Sequence, residues 1–573
     1  MKRTNLISLF TLLVALFVHT SAVSAEEKDS EGVFYYQIGY YEQAHNMLMK
    51  DLESGTGDKA RIYYYLGNIE FKLGNMDKAA EYYNQGAALD EKDPYNRIGL
   101  LKLKIKSEPE VAAEGFKEIQ KKNKKKPRVA VEIGRAYLDN KEPDAASEYQ
   151  GMAYERDNQF APAHILWADI MNFQGDGGVA ATYYEQAIMA DPESYEAYVK
   201  YSRVISYVNF DAAVERLKEL KTKNPSLSLA DKELSEIYYR KNRFEEAAAA
   251  YEEYIKAGNY TQDDLKQYAV TLLFAGRHEE SLKIAEEGLA TSPNDPAFSR
   301  MAMYNLIDLG RYDEAQAAAE HFFNESENPQ FTYYDYIYEG RLYDAQQRFE
   351  EAAEAYIKAA ESDSSQLEMY KMASQSYENA KQMLKSVETY VKYVAAAGHN
   401  DKEADNLMDL GRKYYSVAIV DDSTLTDSVK NIYLAKAVDV FKKVTTLEPD
   451  NYRGYFWEGH AASRLDPECK GTDARDAYMK ALEIAQEAVK ENEQFNSVIV
   501  TCYNYLCVYY YMQYEANKVD ADRQECVKYA EKLLILDPTN NVATQLLTIY
   551  GNAGQSAAGG NAAAAEAGTA AAE

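Results

Sequence analysis

A small side chain returns along this sequence at intervals of 33 to 37 residues, and this spacing is the strongest constraint on its fold. The clearest copies follow an aromatic and an acidic residue, as in Tyr-Glu-Gln-Ala at 41–44 and Phe-Glu-Glu-Ala at 349–352. The positions in register are Ala44, Ala79, Ala113, Ala146, Ala180, Ala213, Ala247, Ser281, Ala315, Ala352 and Ser386, with later copies at Ala437, Ala474 and Cys526. A recurrence at this period predicts a chain built from stacked copies of one small unit.

A second small residue lies twelve positions before many of these, and the residues between them read as helix, turn and helix. Its copies are Gly32, Gly67, Gly134, Ala168, Ser235, Ala269 and Gly340. Apolar residues recur at helical spacing on both sides of a short turn such as Leu73-Gly74-Asn75, which predicts two antiparallel helices per unit. One such pair cannot bury its apolar face alone, so neighbouring pairs are expected to stack into a solenoid.

This pattern resembles the tetratricopeptide repeat (TPR), and the resemblance covers nearly the whole chain in about 14 units. It implies an all-α protein, a TPR-type α-solenoid in which about 14 antiparallel helix pairs form a superhelix. It also implies a concave groove, lined by the first helix of each unit, that binds proteins or extended peptides.

The N-terminus has the pattern of a secretory signal peptide. Lys2 and Arg3 precede the apolar stretch 6–18, and small residues follow up to Ala25. The apolar stretch is shorter than the roughly 20 residues needed to span a bilayer, so we expect cleavage after Ala25 rather than a membrane anchor. No cysteine occurs before Cys469, so the thiol for N-terminal lipidation is missing. The sequence therefore predicts an exported protein, periplasmic or extracellular, with no membrane span after cleavage.

Breaks in the register predict the remaining organisation. We expect a signal peptide at 1–25, a TPR superhelix of about 11 repeats at 26–400, and C-terminal repeats with insertions and a capping helix at 401–550. The extra residues of one hairpin include the polar segment 421–427, which reads as an inserted loop. Residues 551–573 are almost entirely Ala, Gly, Asn and Glu, with nothing to bury, and are predicted to be a disordered tail.

Charge and motif content argue against nucleic-acid binding and catalysis. The chain has 92 acidic and 63 basic residues, a net charge of -29 that would repel a polyanion. The seven histidines are dispersed, and no phosphate-binding loop, nucleophile elbow or paired Cys-x-x-Cys occurs. The basic run between Lys121 and Arg128 is interpreted as a solvated turn, with anion docking as the alternative. No catalytic residue, metal site or cofactor is predicted.

All four cysteines lie late in the chain, at 469, 502, 507 and 526. In the TPR register Cys507 and Cys526 take the eighth and twentieth positions, where the two helices of a unit approach most closely. This predicts a Cys507–Cys526 disulfide, because an exported protein reaches a compartment where disulfides persist. The alternative is that cysteine supplies only a small apolar side chain. Cys469 and Cys502 would be the remaining pair.

The TPR resemblance also assigns a partner-binding groove on the first helices. The residues carried over to it are Tyr64, Asn68, Phe71, Arg135, Arg203, Tyr239, Tyr334, Arg341, Arg412, Tyr415 and His460. Arginine offers forked donors to carboxylates and carbonyls, and tyrosine offers a rigid face with a polar tip. For any single tyrosine, core packing is the alternative.

Three functional hypotheses follow. The first is a non-enzymatic scaffold of the bacterial cell envelope that binds proteins or peptides. The second is carbohydrate binding or glycan uptake, because tyrosine faces also stack on sugars. The third is an enzyme, which the missing motifs disfavour.

Overall fold

The computed structural model describes residues 30–420, 425–490 and 493–551. The predicted signal peptide at 1–25, most of the predicted loop at 421–427 and nearly all of the tail at 551–573 lie outside these residues. The described chain is helical throughout and contains no strand. The expected all-α fold is therefore confirmed.

The helices of the first half pair in chain order. They are α1 (Glu31–Gln37), α2 (Tyr41–Ser54), α3 (Lys59–Lys72), α4 (Met76–Leu89), α5 (Pro94–Lys102), α6 (Pro109–Lys122), α7 (Pro127–Asp139), α8 (Pro143–Arg156), α9 (Ala161–Phe173), α10 (Gly177–Ala190), α11 (Tyr195–Ile205), α12 (Phe210–Lys223), α13 (Leu229–Arg240), α14 (Phe244–Lys256), α15 (Gln262–Phe274) and α16 (His278–Thr291). The odd-numbered helix is the first helix of each pair, and the even-numbered helix is the second.

The second half continues the same alternation. Its helices are α17 (Pro296–Asp308), α18 (Tyr312–Glu325), α19 (Tyr333–Ala345), α20 (Phe349–Ser362), α21 (Glu368–Asn379), α22 (Met383–Ala397), α23 (Glu403–Ile419), α24 (Asp427–Leu447), α25 (Tyr452–Leu465), α26 (Asp473–Ala488), α27 (Asn496–Asn517), α28 (Asp520–Leu536) and α29 (Asn541–Tyr550). A single 3-10 turn, Glu493–Phe495, precedes α27. The described residues thus form 14 helix pairs followed by one helix.

Small side chains allow the two helices of a pair to pack closely. A Cβ atom built on Gly67 would lie 2.4 Å from the Tyr83 ring, and one on Gly340 would lie 2.5 Å from the Tyr356 ring. Both rings are fully buried. The small residue therefore makes room for an aromatic side chain of the second helix, which explains why this position recurs every 34 residues or so.

In most pairs the turn between the two helices contains one left-handed residue. Glycine takes this conformation at position 74, with φ at +86°, whereas a lysine takes it at position 141, with φ at 63°. A residue with a Cβ atom is strained in this conformation, so the turns with glycine are less strained than the turns with lysine.

The chain divides into two compact units, with the first ending at Asn305 and the second beginning at Leu306. In the first unit the largest apolar core joins helices far apart in sequence. It contains Tyr35 and Leu48 of the first pair together with Tyr198 and Leu234 of α11 and α13. The N-terminal pair is therefore packed against the later part of the same unit.

In the second unit the apolar clusters follow the order of the pairs. One cluster centres on Phe441 and contains Tyr390 and Ala461, and another contains Cys502, Leu506 and Leu533. Some of the pairs are also longer here. Helices α23 and α24 have 17 and 21 residues against the usual 14 or so, and α27 has 22. Among the described residues, several helices next to the breaks in register are therefore longer than usual.

Candidate partner-binding surface

The surface formed by the first helices of the pairs, the first-helix face, is filled from within in the first unit. Tyr64 is 2% exposed, and its hydroxyl donates to Glu132 Oε2 at 2.8 Å. Asn68 is equally buried, and its Oδ1 accepts from the Tyr83 hydroxyl at 2.8 Å and from Lys102 Nζ at 3.0 Å. These two predicted groove residues are engaged with their own chain.

Ion pairs between first helices occupy the centre of this face. Arg135 Nη2 lies 3.0 Å from both carboxylate oxygens of Glu196, and Lys200 Nζ lies 2.7 Å from Asp169. Lys102 pairs with Asp139 at 2.6 Å. Burial alone would raise the pKa of Asp139, but the Lys102 and Lys72 ammonium groups hold it below its usual value.

The N-terminal pair closes the face across long sequence separations. Arg203 Nη1 donates to the Ile38 carbonyl at 2.6 Å, and its Nε donates to Glu233 at 2.9 Å. The Tyr40 hydroxyl donates to Glu233 at 2.7 Å. Gln43 donates to the buried Asp264 at 2.9 Å, 221 residues along the chain. Arg203, predicted as a groove residue, is therefore a closing contact.

What remains open on this face is a cavity of about 480 Å³. Tyr36 and Gly39 of the N-terminal pair line one side of it, and Arg135, Asp139 and Lys200 line the other. Each of these three charges is already paired with an opposite charge. The cavity therefore offers little unsatisfied charge to a ligand.

Two further predicted residues of this unit pack against neighbouring side chains. Lys102 Nζ lies 4.3 Å from the centre of the Phe71 ring. Tyr239 is half-buried, and its ring contacts Phe244 and Phe274 at centroid distances of 5.4 and 6.1 Å. Packing, the alternative interpretation of the tyrosines, describes Tyr239 well.

The second unit keeps its first-helix face open. Tyr334 is 50% exposed and stacks on Tyr333, with 4.3 Å between ring centres. Arg341 is also exposed and pairs with Asp308 at 2.7 Å while lying over the Tyr338 ring. Contacts between first helices in this unit reach only the next pair, as in the 2.9 Å bond from Ser376 to Asp344.

A groove of about 640 Å³ runs between α21 and α23 on this face. Its α21 wall includes Lys371, Met372 and Gln375, and its α23 wall includes Arg412 and Ser416. Sequence reasoning found Arg412 but missed the α21 wall. Gln375 follows Ser374 just as Arg412 follows Gly411, so the two side chains share one repeat position, and the repeat register was the available signal.

Beside this groove lies an aromatic cluster on α23 and α25. Tyr415 is buried and meets Trp457 edge to face at 5.6 Å, and the His460 ring also lies 5.6 Å from Trp457. Burial and the neighbouring Arg464 lower the pKa of His460, so it is neutral at pH 7. The sequence analysis missed Trp457 and Arg464.

The four cysteines are buried free thiols in this structure, so the predicted Cys507–Cys526 disulfide is not present. Burial raises the pKa of Cys507 to about 12 and that of Cys526 to about 11. Thiols held in the protonated form do not react readily. The alternative, that cysteine serves as a small apolar side chain at the close approach of α27 and α28, describes the structure.

Two further properties of the described chain concern metal binding and the membrane. No group of three or more His, Cys, Asp or Glu side chains is arranged to hold a metal ion. No described helix has the length and apolar character that a bilayer span requires.

Comparison with known proteins agrees with the helical pairs. The tetratricopeptide repeat family matches residues 60–93 and, in a second form, residues 209–261. The TPR repeat-containing protein YpiA of Bacillus subtilis is 20% identical over 346 residues, which are 58% of this chain and 79% of that protein. The chain thus contains tetratricopeptide repeats and folds as an α-solenoid of that type.

Two solved structures of similar fold are the C-terminal part of a TPR protein from Cytophaga hutchinsonii and a TPR protein from Parabacteroides merdae. The first is 22% identical, covers 49% of this chain and 99% of its own, and has a TM-score of 0.34. The second is 18% identical, covers 43% and 98%, and has a TM-score of 0.32.

Proposed function

We propose that this protein is a non-enzymatic scaffold of the bacterial cell envelope that binds a protein or an extended peptide through the first-helix face of its second unit. The observation that carries the proposal is the accessibility of this face, with its groove of about 640 Å³ and the exposed side chains of Tyr334, Met372 and Arg412. In the first unit the equivalent face is occupied by the chain itself, so partner binding is assigned to the second.

The chemistry of the open face suits a peptide better than a small metabolite. The groove is lined by three basic and three acidic side chains and by Met372, so it offers apolar area together with hydrogen-bond donors and acceptors along its length. A peptide strand supplies carbonyl groups and side chains at matching intervals. Sugar binding by exposed tyrosines is the competing outcome in the test below.

Photo-crosslinking in the native host tests the surface. A photoreactive amino acid replaces Gln375, which is exposed in the groove, and in a matched strain it replaces Glu354, which is exposed on the second helix α20. We expect protein adducts from position 375 and few from position 354. Equal adducts from both positions, or glycan adducts alone, would contradict the proposal.

The envelope location has its own test. The signal pattern at 1–25 implies that the mature chain begins at Glu26. N-terminal sequencing of the native protein, together with cell fractionation, is expected to find that start in the envelope fraction. A native chain that keeps Lys2 and Arg3 and stays in the cytoplasm would refute the location while leaving the binding surface standing.

A further inference from the structure

Arg412 differs from the other arginines that the TPR register places at the same position. Arg135, Arg203 and Arg341 each lie within 3.0 Å of a carboxylate on another first helix. Within the described residues, the nearest carboxylate to Arg412 is that of Asp409, 3.8 Å away on its own helix. The Arg412 guanidinium makes no hydrogen bond to any part of the described chain.

An aromatic ring holds this exposed guanidinium in place. Its central carbon lies 5.1 Å from the centre of the Trp457 ring, within the range of a cation–π contact. The Arg412 side chain keeps 45% of its surface exposed. A guanidinium resting on a ring still presents its N–H groups at the edge, where a carboxylate can accept two of them.

A second arginine approaches the same aromatic cluster without a carboxylate partner. Arg464 Nε donates to the Tyr415 hydroxyl at 2.6 Å, and its guanidinium lies 5.7 Å from the centre of that ring. No ion pair joins Arg464 to a described acidic residue. His460 lies against Trp457 as a neutral ring that can donate one hydrogen bond.

Arg61 and Arg240 also lie over tyrosine rings without an ion pair in the described chain, so what distinguishes Arg412 and Arg464 is that they meet at one aromatic cluster beside the groove. Acidic residues outnumber basic residues by 92 to 63, so most cations in this chain can find a partner within it. Even the neighbouring groove lysine, Lys413, pairs with Glu378 at 2.6 Å. Two arginines that remain without a close carboxylate on one exposed cluster therefore mark a place where an outside anion would be favourable.

We propose that Arg412, Arg464 and His460, which lie against the paired rings of Tyr415 and Trp457, bind an acidic side chain of an extended partner peptide. This inference rests on the proposed function and names the chemistry of its partner. The open groove lies on the α21 side of Arg412, while Trp457 and Arg464 belong to α25. A bound chain would therefore run from the groove, past Arg412, to the cluster on α25.

The length of the peptide follows from the spacing of the helices. Packed helices lie about 8–10 Å apart, so crossing from α21 to α25 takes roughly 20 Å. An extended chain advances about 3.3 Å per residue. About six residues therefore span the groove and the cluster, with an Asp or Glu near the middle.

Fluorescence anisotropy with labelled eight-residue peptides tests this site. The probes are an all-glutamate peptide, its all-glutamine counterpart and an all-lysine counterpart, each blocked at both ends so that no free terminus contributes. The glutamate peptide is expected to bind the full-length protein at least ten times more tightly than the others. Equal binding of glutamate and glutamine peptides overturns the proposal.

Matched variants locate the binding. Arg412→Gln and Arg464→Gln should each weaken glutamate-peptide binding about tenfold or more. Arg348→Gln, at the start of the second helix α20 and ion-paired with Glu351, should change it less than twofold. A Trp167→Phe background leaves Trp457 as the sole tryptophan, and its emission should change on binding. Unchanged binding in Arg412→Gln, with an unchanged melting temperature, overturns the assignment.

The two proposals fail in different ways. If position 375 crosslinks to a protein but acidic peptides do not compete, the scaffold function stands and the acidic specificity is wrong. If heparin competes as well as the glutamate peptide, the cluster is a general anion site and the peptide assignment is wrong. If position 375 gives no protein adducts and no peptide binds, both proposals are wrong.

Discussion

The two units are built from the same helix pairs but use their first-helix faces differently. In the first unit Arg203 reaches back to Ile38 and Gln43 reaches forward to Asp264, so the face closes on itself. In the second unit Arg341 and Ser376 reach only the adjacent pair, and the face stays open. The contrast shows that one motif can supply either a sealed core or a binding surface, depending on where its charged side chains find partners.

The largest effect is expected where a closing contact is cut. Arg203→Met removes the cation from the nearly buried Glu233 carboxylate, which keeps the Tyr40 hydroxyl as a donor, and removes the donor to the Ile38 carbonyl. The loss should cost about 3 kcal/mol. Hydrogen exchange of the full chain should then speed up about 100-fold in peptides from α1 and α2. The matched change in the open face, Arg412→Met, should change the free energy of unfolding, as measured by exchange and melting, by about 0.5 kcal/mol or less. Comparable losses from both variants would remove the distinction between the faces.

The sequence predicts the contacts inside one helix pair but not the contacts that build up over several repeats. The positions of Gly67, Gly340 and their aromatic partners follow from contacts inside one pair, and those contacts set the period that the sequence displays. Closure of the first unit depends on small rotations between successive pairs, which add up over several repeats and leave no local pattern. The motif therefore selected Arg135, Arg203 and Arg412 alike, although their environments differ.

The cysteine prediction meets a related limit of the register. The register correctly brought Cys507 and Cys526 to the position where small side chains belong. Small size alone satisfies that position, as Gly67 and Ala79 show elsewhere in the chain. A repeat register therefore predicts proximity and volume, but not whether a bond forms.

The next largest effect should be the same in both units, because it concerns the interior of a pair. Gly67→Ala in the first unit and Gly340→Ala in the second force a Cβ against a buried tyrosine ring and should each cost about 1 to 3 kcal/mol. Gly151 in α8 has no neighbouring atom within 4 Å, so Gly151→Ala should instead stabilise by about 0.5–1 kcal/mol. Chemical denaturation measures all three, and a stabilising Gly340→Ala would show that the pairs of the two units are packed differently.

A smaller, pH-dependent effect should be confined to the second unit. Burial raises the pKa of Glu458 from its usual 4.5 to about 7, with Asp473 adding to the shift and Lys442 opposing it. The folded chain therefore holds this proton more tightly than the unfolded chain, and its stabilising contribution is lost as the pH rises through 7. Glu458→Gln cannot ionise, so it should be more stable than the parent by roughly 1–2 kcal/mol at pH 8 and no more stable at pH 5. Thermal melts at the two pH values check this, and equal differences at both would exclude Glu458 as the titrating group.

The smallest expected effect is none at all, and it concerns the thiols of the second unit. Because Cys469, Cys502, Cys507 and Cys526 are unbridged in the structure, a reducing agent should leave the melting temperature unchanged. A disulfide between α27 and α28 would instead have contributed about 2–4 kcal/mol. Alkylation of the unreduced, unfolded protein should add four labels by mass, whereas alkylation of the folded protein should be slow because burial keeps the thiols protonated. Two labels in place of four would show that one disulfide is present, and peptide mapping would show whether it joins Cys507 to Cys526. In that case the closed first unit would gain its rigidity from ion pairs and the open second unit from a covalent bond.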